Sequence, residues 1–138
     1  MKDLDFLGII IDTNFFFVPF DFKIDIFEEI NRIILRNYKL IAFPAIIEEL
    51  KKLEAKKNSI KWKNKIQLAL KLAENCEIYE ESPLPNETID NFILRIAKEK
   101  NWYVATNDKT LKKKLKNQGV PIIYLRQKKY LILEGSTF

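Results

Sequence analysis

Leu7-Gly8-Ile9-Ile10-Ile11 is an unbroken apolar run that ends abruptly at an acid, Asp12. An antiparallel strand with one wet face would alternate apolar and polar residues. A continuous run of this length suits a central strand covered on both faces. Such a strand needs helices above and below it, so the remainder of the chain should alternate helix and strand.

That alternation is visible on reading outward. A loop through Pro19 leads to a helix predicted over residues 25–37, with Asp25 and Glu28 at capping-box spacing and Phe27, Ile30, Ile33 and Ile34 as its buried stripe. Leu40-Ile41-Ala42-Phe43 reads as a second strand, after which Pro44 opens a helix. Another helix follows Ser59, and Glu77-Ile78-Tyr79 is a short third strand before the Pro83/Pro85 loop. Ile89, Phe92, Ile93, Ile96 and Ala97 keep helical spacing, and Trp102–Thr106 is the fourth strand. A lysine-rich helix then stops at Gly119, and Pro121–Leu125 is the fifth strand. The expectation is one α/β domain over residues 1–138: a mostly parallel sheet of about five strands, order 3-2-1-4-5, flanked by helices.

Composition excludes several chemistries. With no histidine among 138 residues, imidazole bases, Ser-His-Asp systems and histidine zinc sites are absent. The single cysteine, Cys76, forms no internal disulfide or cysteine cluster, which suggests a reducing compartment. Met1-Lys2-Asp3-Leu4-Asp5 lacks a signal-peptide pattern, and no apolar run approaches the ~20 residues that span a bilayer. A soluble cytoplasmic protein with no membrane partner is expected. The net charge of +5 is unevenly spread. Residues 51–65 hold seven lysines against Glu54, a net +6; residues 107–130 hold eight Lys or Arg against Asp108, a net +7; the remainder carries −8. Basic stripes on an otherwise acidic chain suggest a polyanionic partner, although solvated helix faces would look the same.

Open parallel sheets bind ligands beyond the carboxyl ends of their strands, at the switch in strand order. Asp12 directly follows strand one, and Asp108 lies just beyond strand four. On the Pro44 helix, Ile46, Ile47, Leu50 and Leu53 set the apolar face. At ~100° per residue Glu49 falls at its boundary while Glu48 points to water. Asp90 likewise flanks the apolar stripe of its helix, and Asn91 points away. Each acid has an ordinary explanation as a cap, a turn residue or a rim charge; four at one sheet edge are harder to explain so. Close carboxylates raise one another's pKa, and a hard cation such as Mg²⁺ or Mn²⁺ relieves that repulsion. Asn14 and Thr106, with Thr13 and Asn107, add short polar groups that can orient the acids or serve only as turn residues. Lys112, Lys114 and Arg126 are the candidate phosphate-binding groups, because the lysine-rich helix begins beside Asp108 and Arg126 follows strand five.

Four stretches resemble the PIN-domain nuclease family. Ile9-Ile10-Ile11-Asp12-Thr13-Asn14 looks like its opening motif, and Ile46-Ile47-Glu48-Glu49-Leu50-Lys51-Lys52-Leu53 its second, with Glu49 at the matching acid. Asp90 and Ala105-Thr106-Asn107-Asp108 match the third and fourth. Gly119–Arg126, followed by Lys128-Lys129-Tyr130-Leu131, resembles the small-subunit processome branch and its archaeal relatives. The resemblance implies a PIN-like three-layer fold and Mg²⁺- or Mn²⁺-dependent endonucleolytic cleavage of RNA by Asp12, Glu49, Asp90 and Asp108. It implies ribosomal precursor RNA as substrate, with ribosome-assembly proteins or a second copy of the chain as partners. Thr110 and Ile89 stand where many members carry further acids, which bears on a second metal ion. Two alternatives remain open: a toxin-type PIN ribonuclease silenced by an antitoxin, and a non-catalytic RNA-binding scaffold. The latter explains the retained acids poorly, since carboxylates repel phosphate.

Overall fold

The computed structural model describes residues 6–135, so the reading of Met1–Asp5 lies outside the described residues. The strands are β1 (Leu7–Ile11), β2 (Tyr38–Ala42), β3 (Glu77–Ile78), β4 (Tyr103–Ala105), β5 (Ile122–Arg126) and β6 (Tyr130–Glu134). The α-helices are α1 (Val18–Phe22), α2 (Ile26–Ile33), α3 (Pro44–Glu54), α4 (Ile60–Glu74), α5 (Ile89–Lys100) and α6 (Lys109–Asn117). They form a six-stranded sheet of order β3-β2-β1-β4-β5-β6, parallel except for the β5–β6 pair. All five residues of β1 are buried, as the opening run requires. Its register sets Ile10 beside Ile41 on one flank and Ile11 beside Ala105 on the other.

Right-handed crossovers place the β1→β2→β3 helices on one face and the β4→β5 helix on the other, giving three layers. Gly8 shows how closely the Trp102 side chain covers β1: a Cβ there would come 2.3 Å from Cδ2 of Trp102, the residue just before the neighbouring strand β4. Phe43 and Phe92, ring centroids 4.6 Å apart, pack the start of α3 against α5.

The sequence reading needs three corrections. The helix expected over residues 25–37 ends at Ile33, and Phe27 is 42% exposed; Ile26 takes its place in the stripe beside the expected Ile30, Ile34 and half-buried Ile33. The loop after Asp12 is itself helical: a 3-10 turn over Thr13–Phe17 buries Phe15, Phe16 and Phe17 and continues into α1. The sixth strand, β6, occupies residues to which the sequence reading assigned no element. Its outward edge is closed at Leu131 by α2: the Leu131 N–H donates to Glu29 Oε1 (2.9 Å), and Arg32 Nη2 donates to the Leu131 carbonyl (2.8 Å).

Candidate active site

The strand order reverses between β1 and β4, and their carboxyl ends lie side by side. The Asp12 N–H donates to the Ala105 carbonyl at 3.0 Å, continuing the ladder one residue past both strands. Asp12 is thereby rigidly placed. Its Oδ1 accepts from the Thr13 N–H (2.9 Å) and its Oδ2 from the Thr106 hydroxyl (2.8 Å). The Thr106 oxygen in turn accepts from the Asp108 N–H at 3.1 Å, which leaves its proton for Asp12. One hydroxyl therefore ties the acid after β1 to the backbone of the acid after β4.

Thr13 reaches the other way, its hydroxyl donating to Glu49 Oε1 on α3. Glu48, next along that helix, instead pairs with Lys51 at the surface (3.8 Å). Asp90 sits in the first turn of α5, capped by Thr88, and Asp108 caps α6 by accepting from the Thr110 N–H (2.9 Å). The capping explanation of Asp108 thus applies alongside any role in the cavity. Asp12, Glu49, Asp90 and Asp108 all line one cavity of about 400 Å³, with Thr13, Asn14, Lys52, Leu53, Lys56 and Ile89. Thr106 lies beneath it, fully buried.

The electrostatics follow from burial. Burial pushes the Asp12 carboxyl above the usual range, against the hydrogen bonds from Thr106 and Thr13, and the charges of Asp90 and Asp108 add to the rise. Asp90 is raised by its own burial and by Asp108 and Glu49, with Lys114 opposing. Among the described residues, the buried polar or charged side chains are Asp12, Thr13 and Thr106, all three at this junction. A larger recess of about 640 Å³ lies at the opposite end of the strands, lined by Arg36, Tyr38, Cys76 and Glu77 among others. It gathers no set of carboxylates, so volume alone does not mark the site.

The predicted cations are distributed differently from the acids. Lys112, Lys114 and Arg126 do not line the acidic cavity. Lys112 lies over the Tyr124 ring, 4.0 Å from its centroid, beside a recess shared with Lys113, Lys116 and Glu134. Lys114 leans the other way, its Nζ 3.4 Å from Asn91 Oδ1 on α5. Arg126 ends β5, exposed, at the β5–β6 turn. The lysines that do line the cavity, Lys52 and Lys56, were read only as part of the basic stretch 51–65 and not singled out; Lys52 stands three residues after Glu49 on α3, and Lys56 lies in the turn that follows the helix.

Comparison with known proteins places this geometry in a family. The family model described as "PIN like domain" matches residues 9–128. Ribonuclease VapC4 of Methanocaldococcus jannaschii is 38% identical over 128 residues, covering 92% of this chain and 96% of the relative. Ribonuclease VapC9 of Archaeoglobus fulgidus is 29% identical, covering 91% and 87%. Among solved structures, the PIN domain endonuclease Utp24 superposes with a TM-score of 0.75 at 25% identity, covering 94% of this chain and 92% of that one. With the family pattern running from the middle of β1 into the β5–β6 turn, and a relative 38% identical along almost all of both chains, this protein belongs to the PIN-like domain family.

Proposed function

We propose that this protein is a divalent-metal-dependent endoribonuclease, a single PIN domain in which Asp12, Glu49, Asp90 and Asp108 are the metal-binding and catalytic carboxylates. The observation that carries the reading is the burial of a carboxylate, Asp12, at the strand-order switch, in a cavity shared with three more. A buried acid with raised pKa beside like charges costs stability, and a cation in that cavity offsets the cost. The donors are all hard oxygens, which suits Mg²⁺ or Mn²⁺. Among the described residues no three acidic side chains stand close enough to hold an ion directly as they lie. Mg²⁺ itself keeps several waters and is commonly bound through one or two carboxylates plus substrate phosphate. When bound, such an ion activates water and stabilises the charge that develops on a phosphodiester.

The chain's own groups supply order. Thr106 and the Thr13 N–H fix the Asp12 carboxylate; the Thr13 hydroxyl turns Glu49 toward it and away from Lys52. Asn14, exposed at the cavity rim, is placed to orient water or substrate. Two RNA targets follow from the sequence, ribosomal precursor RNA handled with assembly proteins and the RNA target of a toxin-type ribonuclease. The 38% identity to VapC4 favours the second.

The test is cleavage of single-stranded and structured RNA with Mg²⁺, with Mn²⁺ and with EDTA, by the parent and by Asp12→Asn. Cleavage that needs the ion and falls by 10²-fold or more in the variant is expected, on the order seen when one group of an electrostatic site is removed. Metal-independent cleavage, or a fully active variant, would overturn the reading.

A further inference from the structure

Glu49, Lys52 and Lys56 occupy one face of α3 and its C-terminal extension, and all three line the acidic cavity. Lys52 stands at i+3 from Glu49, the spacing at which helix neighbours pair. One residue earlier the same spacing does give a pair, Glu48 with Lys51 at 3.8 Å. Glu49 and Lys52 do not pair, because Glu49 is turned to the Thr13 hydroxyl. Among the described residues the side chain of neither Lys52 nor Lys56 has an ion-pair or hydrogen-bond partner, although four carboxylates share their cavity. Neighbouring lysines are engaged: Lys57 lies over the Trp62 ring at 4.7 Å, and Lys65 pairs with Asp21 at 2.7 Å.

The stripe is directional. It begins at the carboxylates and becomes cationic along α3, with Lys52 about 4.5 Å beyond Glu49 at ~1.5 Å per residue and Lys56 in the turn that follows Glu54. Resting on the nuclease reading above, we infer that Lys52 and Lys56 hold the RNA backbone on one side of the scissile phosphate, each taking one successive phosphate. Phosphate contacts of this kind set register without reading bases. The substrate strand then lies along α3, and the α6 lysines that line the Tyr124 recess, Lys112, Lys113 and Lys116, are not its principal anchor. Lys52 and Lys56 are positioning residues: they act on where the strand lies, not on the bond that breaks.

The test uses the whole chain, with Lys52→Ala/Lys56→Ala compared with a charge-matched control, Lys71→Ala/Lys98→Ala, two exposed lysines near the opposite end of the sheet. Circular-dichroism melts establish that each variant is folded. Fluorescence anisotropy with a labelled 12-mer oligouridylate, Ca²⁺ replacing Mg²⁺, is read at several salt concentrations. The expected result is about tenfold weaker binding for the Lys52/Lys56 variant and a log–log salt slope shallower by about 1.4, from ~0.7 per lost single-strand phosphate contact. The control should bind as the parent does. In cleavage with Mg²⁺, the Lys52/Lys56 variant should raise KM with a much smaller effect on kcat. Parental affinity, salt slope and KM in that variant would overturn the inference while leaving the nuclease reading intact. Binding that depends on the two lysines in a parent that never cleaves would do the reverse. A parent that binds no RNA would overturn both.

Discussion

At the residue scale the decisive group is a hydroxyl. Thr106 donates to Asp12 and accepts from the Asp108 N–H, so its proton has one direction available. Thr106→Val keeps the shape and leaves a buried carboxylate oxygen short of a donor, which costs about 1–3 kcal/mol. Metal affinity or activity should fall roughly 10–100-fold, as for loss of groups that orient ligands. Thr106→Ser should restore most of both; a serine variant as impaired as the valine one would show that the methyl group, not the hydroxyl, matters. Asp12 yields a pH prediction. Its pKa in the fold lies above the unfolded value of about 3.8, so the folded state binds the proton more tightly and loses stability as pH rises through that interval. In EDTA, Asp12→Asn should therefore match the parent in stability at pH 3 and exceed it at pH 7. Added Mg²⁺ should raise the melting temperature of the parent alone, by linkage. A variant less stable than the parent at pH 7 in EDTA would contradict the assigned cost of the buried charge.

At the scale of elements, legibility followed periodicity. β1 is uniformly apolar and buried on both faces, so its residues announce a central strand; α5 keeps its apolar spacing without interruption and begins and ends as read. The segment Thr13–Phe17 gave no such signal, because five residues of 3-10 turn are too short to show a period. It also carries three consecutive phenylalanines, all buried, where a surface loop was expected. β6 was hidden by its own composition, since Lys128 and Lys129 at the turn drew attention to charge rather than to the Tyr130–Glu134 strand beyond. Gly8 looked like an ordinary member of the apolar run. Its reason is tertiary, the Trp102 ring lying where a Cβ would go. Gly8→Ala should destabilise by about 1–3 kcal/mol or more through overpacking, measured by denaturant unfolding. A companion Trp102→Leu change should relieve part of that loss. If Gly8→Ala alone is neutral, the Trp102 ring does not press on β1 as described.

On the scale of the whole molecule, the meeting of the four acids in one cavity could be read from sequence, and the places of the lysine side chains could not. Sheet order brings the ends of β1 and β4 together, and helical phase brings Glu49 and Asp90 in from the sides, so four positions were deducible. For lysines, a long flexible chain and a wet surface let each head point several ways. Only the packed structure shows that Lys112 lies on Tyr124 and that Lys52 stands apart from Glu49. The same overall view gives the Glu29–Arg32 closure of β6 a larger meaning. A sheet is a polymer of strands, and it grows only from a live end. In this protein one end, β3, is two residues long, and the other has its Leu131 donor and acceptor already occupied by a helix of the same chain. Both ends of that polymer are terminated, which closes the sheet at six strands among the described residues and leaves a second molecule little to add to. Glu29→Ala/Arg32→Ala reopens one end, and light scattering from concentrated samples held warm should then rise with time where the parent stays clear. The acidic cavity lies at the rim where strands finish rather than along either edge, so the protein can hold out a long polyanion without offering its own backbone as a template.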